Sequence, residues 1–181
     1  MKYPFADNHP FGASLERAPD RGTARAAFPC FLRAPGEPEL GPLNREELLA
    51  LLNQLLEGER AGARGVTAMS RQATDAASRT ALGEIAMDEA HFCGMLIRHV
   101  TRLGGAPSAR TGAFYTKLAA LERTDEQLDL LDRGQGWVVR KLSDALPRVV
   151  DAALRADLRD MLEVHLRNIG RCKELRSKHD A

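Results

Sequence analysis

Cysteine, aromatic side chains and a surplus of one charge sign are all scarce in this chain of 181 residues. The three cysteines, Cys30, Cys93 and Cys172, are odd in number and far apart, which argues against a secreted disulfide framework. The net charge of +1 argues against a nucleic-acid binder, because neutralising phosphates requires a clear basic surplus. No apolar run approaches the roughly 18 residues of a membrane span, and the start at Met1 lacks an apolar signal core. The sequence therefore predicts a cytoplasmic protein without a membrane partner.

The first 43 residues differ in composition from the rest of the chain. They contain seven of the nine prolines, and because proline and glycine interrupt helices and strands, an irregular arm is predicted over residues 1–43. Its apolar side chains are too many for a solvated tail, and they include Phe5, Phe11, Phe28, Phe31 and Leu32. We expect this arm to cover either its own domain, residues 44–181, or a neighbouring subunit. On that basis we expect a homodimer.

From Asn44 onward the sequence predicts only helices, because apolar residues recur at steps of three and four and no segment alternates like a strand. Asn44 and Glu47 match a capping box at the start of the first helix. Thr124 and Gln127 match a second capping box, at the start of the third long helix. Pro147 suits the first turn of the fourth. The chain is thus predicted to be all-α, with four long helices.

A long connection, residues 104–123, separates the second long helix from the third and includes an apolar stretch predicted as a short helix. A helix of about 28 residues is about 42 Å long, and a largely extended link of roughly 20 residues can run back along it. Such a crossover makes the second and third long helices parallel. We predict this bundle with a crossover; the alternative is an up-down-up-down bundle with a decorated loop.

The apolar residues that recur at steps of three and four form one row along each long helix, here called its seam. In each seam one position is occupied by a polar residue instead. These residues are Glu59, Glu89, Gln135 and His165. Glu59 precedes Glu89 by 30 residues and Gln135 precedes His165 by 30, so each pair lies at a similar height in its own helical hairpin. Four polar side chains in one layer of a bundle are typical of a metal site. Two carboxylates in an apolar core also need compensation, because desolvating each ion costs several kcal/mol.

Four stretches, residues 51–63, 88–93, 134–142 and 161–169, resemble the ferritin-like superfamily of carboxylate-bridged metal proteins, and most closely an uncharacterised bacterial branch of it. The resemblance covers roughly residues 44–178 and implies a ferritin-like four-helix bundle. The metal motif of that superfamily is one Glu on each of two helices and Glu-x-x-His on each of the other two.

Only half of that six-ligand motif is present in this chain. Gln135 stands in place of a lone Glu, Phe92 in place of a His, and Leu162 in place of a Glu. The matching positions are Glu59, Glu89 and His165. These departures argue against a full two-metal centre.

Three interpretations of the polar positions remain open at this point. In the first, Glu59, Glu89 and His165 hold iron or manganese for oxidative chemistry, with Gln135 as a further ligand or a hydrogen-bond donor to one. In the second, the four residues form a metal-free network that fixes helix register, in a bundle that binds a partner or a small-molecule ligand. In the third, the seam is misassigned and the ligands are the pair Asp88-x-x-His91.

The aromatic residues near the crossover are a further candidate feature. Phe114 and Tyr115 lie in the connection and Trp137 lies close in sequence to Gln135. We expect these three either to pack in the core or to cover a pocket beside the polar layer.

Overall fold

A computed structural model describes residues 41–179, with side chains to Lys178. The predicted arm lies outside the described residues, except for its last three. Those three have no regular secondary structure, and the backbone N–H of Leu43 donates to the carbonyl of Arg148 at 3.0 Å.

The described part of the chain consists of helices, as predicted, and has no strand. The helices are α1 Arg45–Gln72, α2 Ala76–Arg102, the short α3 Phe114–Ala119, α4 Thr124–Ala145 and α5 Ala152–His179. None of them is both long enough and apolar enough to span a membrane.

One predicted capping box forms and the other does not. The Asn44 side chain accepts from the backbone N–H of Glu47 at 3.0 Å, and the Glu47 carboxylate accepts from the backbone N–H of Asn44 at 2.8 Å. At α4 the cap position is Arg123, so Thr124 already lies in the first turn and makes no capping bond. Gln127 instead donates to a carbonyl of the crossover. The predicted capping position of α4, Thr124, was therefore wrong by one residue.

Pro147 also lies elsewhere than predicted. It is in a separate 3₁₀ turn, Leu146–Arg148, that joins α4 to α5. The start of α5 is marked instead by Asp151, whose carboxylate accepts from the backbone N–H of Leu154 at 2.9 Å. Pro147 therefore shapes the turn rather than the helix.

The crossover is confirmed by its contacts along α1. After α2 ends, the hydroxyl of Ser108 donates to Glu57 in the first half of α1. Further on, Leu118 of α3 packs against Gly65 in the second half. The chain after α4 is back at the beginning of α1, where Arg148 pairs with a carboxylate of the first turn. Consequently α4 runs antiparallel to α1 and parallel to α2, which excludes the up-down-up-down arrangement.

Two apolar clusters make up the core, one toward each end of the bundle. The first includes Leu52, Leu55, Phe92, Leu96, Val138, Leu142, Leu158 and Met161. The second includes Val66, Met69, Ile85, Leu128, Leu131, Cys172 and Leu175. Along every long helix, the polar residue singled out by the sequence falls between the members of the two clusters. The fold therefore places one polar layer between two apolar halves.

Candidate metal and ligand site in the bundle core

The structure brings all four predicted residues into one buried layer. Glu59 is 1% exposed, Glu89 3%, Gln135 3% and His165 1%. All four also line the same pocket. Asn168, one turn beyond His165 on α5, is fully buried as well.

Two close contacts hold the layer together, and each crosses the centre of the bundle. Gln135 Nε2 on α4 donates to Glu89 Oε1 on α2 at 2.7 Å. His165 Nε2 on α5 lies 3.3 Å from Glu59 Oε1 on α1. Neither α1 and α5 nor α2 and α4 are in backbone contact within the described residues, so both contacts join diagonally opposed helices. The two residues of one hairpin are therefore not each other's partners.

The layer has more hydrogen-bond acceptors than donors. His165 Nδ1 lies 2.8 Å from the carbonyl oxygen of Met161. Because a carbonyl only accepts, Nδ1 carries a proton, and in the neutral ring Nε2 is an acceptor that faces the carboxylate of Glu59. Five buried side-chain atoms have no hydrogen-bond partner in the described part of the chain: Glu59 Oε2, Glu89 Oε2, Gln135 Oε1, His165 Nε2 and Asn168 Nδ2. Four of these five are acceptors when the ring is neutral.

The shifted pKa values show the same shortage of positive charge. Burial raises the pKa of Glu89 well above its ordinary value, the nearby charge of Glu59 raises it further, and the bond from Gln135 only partly opposes this. At His165 burial disfavours the charged ring, but the Glu59 carboxylate and the Met161 carbonyl outweigh it and raise the pKa overall. Without another cation, the layer is therefore stabilised by taking up protons.

Glycines open a pocket of about 450 Å³ above the layer. A Cβ at Gly58 would lie 3.2 Å from Trp137 Cζ3, and a Cβ at Gly134 would lie 3.0 Å from Phe114 Cε2. Both contacts are tight, so a larger residue at either position would displace the aromatic ring beside it. The glycines on α1 and α4 therefore let two aromatic rings stand at the pocket walls without filling it.

The prediction for the aromatic residues holds for two of the three. Phe114 and Trp137 line the pocket and are half-buried. Tyr115 is not part of the pocket lining; the guanidinium of Arg64 lies 4.5 Å from the centre of its ring.

Two pocket residues, Lys117 and Arg133, carry no signal in the sequence. Both are exposed, so neither lies on an apolar seam, and only the path of the crossover places them on the same pocket. They mark its mouth, while the buried polar layer forms its floor.

The residues present do not fit a two-metal centre. Phe92, at the position of a motif His, belongs to the first apolar cluster, and its ring centre is 5.6 Å from that of His165. Leu162, at the position of a motif Glu, packs against the same cluster. No group of three His, Cys, Asp or Glu side chains within the described residues lies close enough together to hold a metal ion. The remaining donors form two pairs across the bundle, Gln135 with Glu89 and His165 with Glu59, rather than three converging ligands.

The alternative ligand pair is not in the layer. His91 is exposed on α2, and the carboxylate of Asp88 pairs with Arg171 at 3.1 Å. The seam assigned from the sequence is therefore the one that faces the core.

Comparison with known proteins gives a family and a fold. Residues 46–174 match the family described as "Domain of unknown function (DUF6306)". The chain belongs to this family. Among solved structures it is similar to one described as ferritin-like, diiron-carboxylate proteins from Bacillus anthracis str. Ames, with a TM-score of 0.62 and 15% sequence identity. The match covers 73% of this chain and 96% of that chain.

Comparison with curated proteins finds no match. At 15% identity the structural likeness shows the fold alone, and it confirms the ferritin-like bundle that the sequence resemblance implied.

Proposed function

We propose that the polar layer of this DUF6306 protein binds one divalent metal ion, iron or manganese. Glu59, Glu89 and His165 would be its ligands, with Gln135 Oε1 beside them. The observation that carries this proposal is a set of buried acceptor atoms with no donor in the described part of the chain, four of them when the His165 ring is neutral. An unsatisfied buried polar group costs about 1–3 kcal/mol, and one cation in the layer satisfies several such groups together.

Charge supports the same conclusion. Glu59 and Glu89 are 1% and 3% exposed, and two ionised carboxylates at that depth repel each other and lose their hydration. A divalent ion neutralises both without adding protons. Burial and the charge of Glu59 raise the pKa of Glu89, so the layer disfavours that second negative charge.

The donor set favours iron or manganese over softer metals. Carboxylate and amide oxygens with one imidazole nitrogen suit these two ions, whereas thiolate-preferring metals need ionised cysteine. The nearest thiol, Cys93, does not supply one, because burial and the neighbouring Glu59 raise its pKa to about 12. When bound, such an ion would supply a Lewis acid and, for iron, one-electron redox chemistry.

Hydrogen bonds fix the side chains of two of the proposed ligands, His165 and Glu89. The carbonyl of Met161 fixes the ring of His165 so that Nε2 points into the layer. Gln135 holds Glu89 by one carboxylate oxygen and leaves the other free. The apolar clusters on either side exclude water, so the pocket is the route by which a small molecule reaches the layer.

Metal analysis of the purified protein tests the proposal. Protein expressed with added iron and manganese should retain about one metal equivalent per chain after desalting. Glu59→Ala and His165→Ala should each lose it, because removing one ligand leaves too few to compete with water. His91→Ala is the matched control and should keep the metal, since His91 is exposed beside the layer.

Absence of metal under every loading condition would refute the proposal, and so would equal retention by His165→Ala and His91→Ala. Two equivalents per chain would refute the single-ion site.

The second candidate is a metal-free bundle that binds a small ligand or a partner. The separation of the layer into two pairs, without three converging ligands, favours it. In that case the free energy of unfolding should be the same with added manganese and with a chelator, whereas a metal that binds only the folded state raises it.

A further inference from the structure

We infer that the pocket above the polar layer binds a small apolar or aromatic carboxylic acid. Lys117 and Arg133 hold its carboxylate at the mouth, and its apolar body lies between Phe114 and Trp137. Binding of such an acid does not depend on the metal. The inference that such an acid is the substrate of the metal site rests on the proposed function.

The pocket walls are suited to an apolar molecule. Phe114 and Trp137 are half-buried, so each ring still exposes apolar surface to the cavity, and Leu130, Leu131 and Val138 complete the wall. A pocket of about 450 Å³ accommodates a molecule with a single aromatic ring or a medium alkyl chain. Burying apolar surface in a cavity lined by aromatic side chains supplies most of the affinity in such a site.

The charges at the mouth select an anion. Lys117 and Arg133 are exposed, and neither pairs with a carboxylate in the part of the chain that the structure describes. Among the described pocket-lining residues outside the buried layer, Glu57 is the one carboxylate, and it pairs with Arg110 at 2.9 Å and accepts a hydrogen bond from Ser108. Within residues 41–178 the mouth therefore presents two positive charges that no carboxylate pairs with.

The floor sets the orientation of the ligand. The polar residues of the floor are at most 3% exposed, so a carboxylate placed there would lose its hydration, whereas a carboxylate at the mouth keeps its contact with solvent. A carboxylic acid therefore enters with its apolar end toward the floor and its carboxylate toward solvent. An amine carries the opposite charge at the same end, so Lys117 and Arg133 should disfavour it, which makes it the informative competitor.

A single tryptophan makes the binding directly measurable. Trp137 is the only tryptophan of the chain and it lines the pocket, so quenching or a shift of its fluorescence reports occupancy there. We suggest titrating 3-phenylpropionate, 3-phenylpropan-1-ol and 3-phenylpropylamine, which differ mainly in the end group, into both chelator-treated and manganese-loaded protein.

The acid should bind saturably in both samples and up to about thirtyfold more tightly than the alcohol, because each of the two exposed ion pairs contributes up to about 1 kcal/mol. Lys117→Ala and Arg133→Ala should each weaken acid binding by up to about fivefold and leave alcohol binding unchanged. Arg140→Ala, an exposed arginine of α4 outside the pocket lining, is the matched control and should leave both unchanged.

Equal binding of acid and alcohol, tighter binding of the amine, or no change in fluorescence with any probe would overturn the inference. Acid binding that appears only with manganese would place the carboxylate on the metal and would also overturn it. Acid binding in a protein that retains no metal supports this inference and refutes the proposed metal site. Retained metal without acid binding supports the proposed metal site and refutes this inference.

Discussion

Gly62 gives a sharp test of how the polar layer is built. It lies in the interior of α1, and a Cβ at this position would be 1.7 Å from Glu89 Oε2 and 2.5 Å from its carboxyl carbon. The absence of a side chain on α1 therefore makes the space that the Glu89 carboxylate occupies. Gly62→Ala must displace that carboxylate within a buried layer.

Two effects of opposite sign decide the outcome of Gly62→Ala. Replacing glycine by alanine in a helix interior stabilises by about 1 kcal/mol. Displacing the Glu89 carboxylate breaks its bond from Gln135 and leaves a buried donor unsatisfied, at a cost of about 1–3 kcal/mol. We expect a net loss of stability of up to about 2 kcal/mol.

In a Glu89→Ala background the clash is absent, and the same change should stabilise by about 1 kcal/mol. The reversal of sign gives a coupling energy of about 1–3 kcal/mol between the two positions.

Urea denaturation of the four proteins of this cycle, followed by circular dichroism in the presence of a chelator, measures the coupling. Gly170→Ala on α5 is the control, because a Cβ there meets nothing within 4 Å and only the helix-propensity gain applies. If Gly62→Ala stabilises the wild-type background as much as Gly170→Ala does, Glu89 does not occupy the place assigned to it.

Three further predictions concern pH, helix capping and assembly. Because the pKa values of Glu89 and His165 are raised in the folded state, the metal-free fold binds more protons than the unfolded chain above the ordinary values of 4.5 and 6.5. The free energy of unfolding should therefore fall as pH rises above these two values, by at most about 1.4 kcal/mol per pH unit for each group. Urea midpoints that rise with pH above these values would contradict this. Asn44→Ala should lower the free energy of unfolding by about 1 kcal/mol through loss of its capping bond, and an unchanged urea midpoint would exclude that contribution. Deleting residues 1–40 should convert the predicted homodimer to a monomer in light scattering, and an unchanged mass would remove the arm's role in assembly.

The pH dependence also separates the two candidate functions. Metal binding requires ionised carboxylates and a neutral imidazole, so retention of metal should weaken as pH falls below about 6. The stability of the metal-free protein should change in the opposite direction over the same range. Measuring both on one preparation shows whether protons and metal compete for Glu89 and His165.

The fold could be predicted from the sequence because its determinants are local or depend on length. The capping box at Asn44 is encoded within four residues, and the crossover follows from a link too long for a tight turn. The predicted start of α4 was wrong by one residue, because Arg123 and Thr124 are adjacent and the apolar pattern alone does not distinguish them as cap positions.

Membership of the polar layer could also be predicted, but its pairing could not. A polar residue inside an apolar seam indicates a buried position whatever the partner helix does. Which residues pair depends on how each helix is rotated and on which helices are diagonal, and that is set by packing over the whole bundle. For the same reason Lys117 and Arg133, exposed and distant in sequence, became part of the site only through the path of the crossover.

Two of the three positions that depart from the ferritin-like motif lie outside the pocket, and only the third, Gln135, is part of the layer. Phe92 belongs to the first apolar cluster and Leu162 packs against it. Neither residue lines the pocket. All four polar residues of the layer line the pocket instead. A layer that served only to fix helix register would need no open side, and it would satisfy its own hydrogen bonds. Among the described residues the unsatisfied acceptors and the opening occur together, which supports the proposal that a bound ion or small molecule completes the layer.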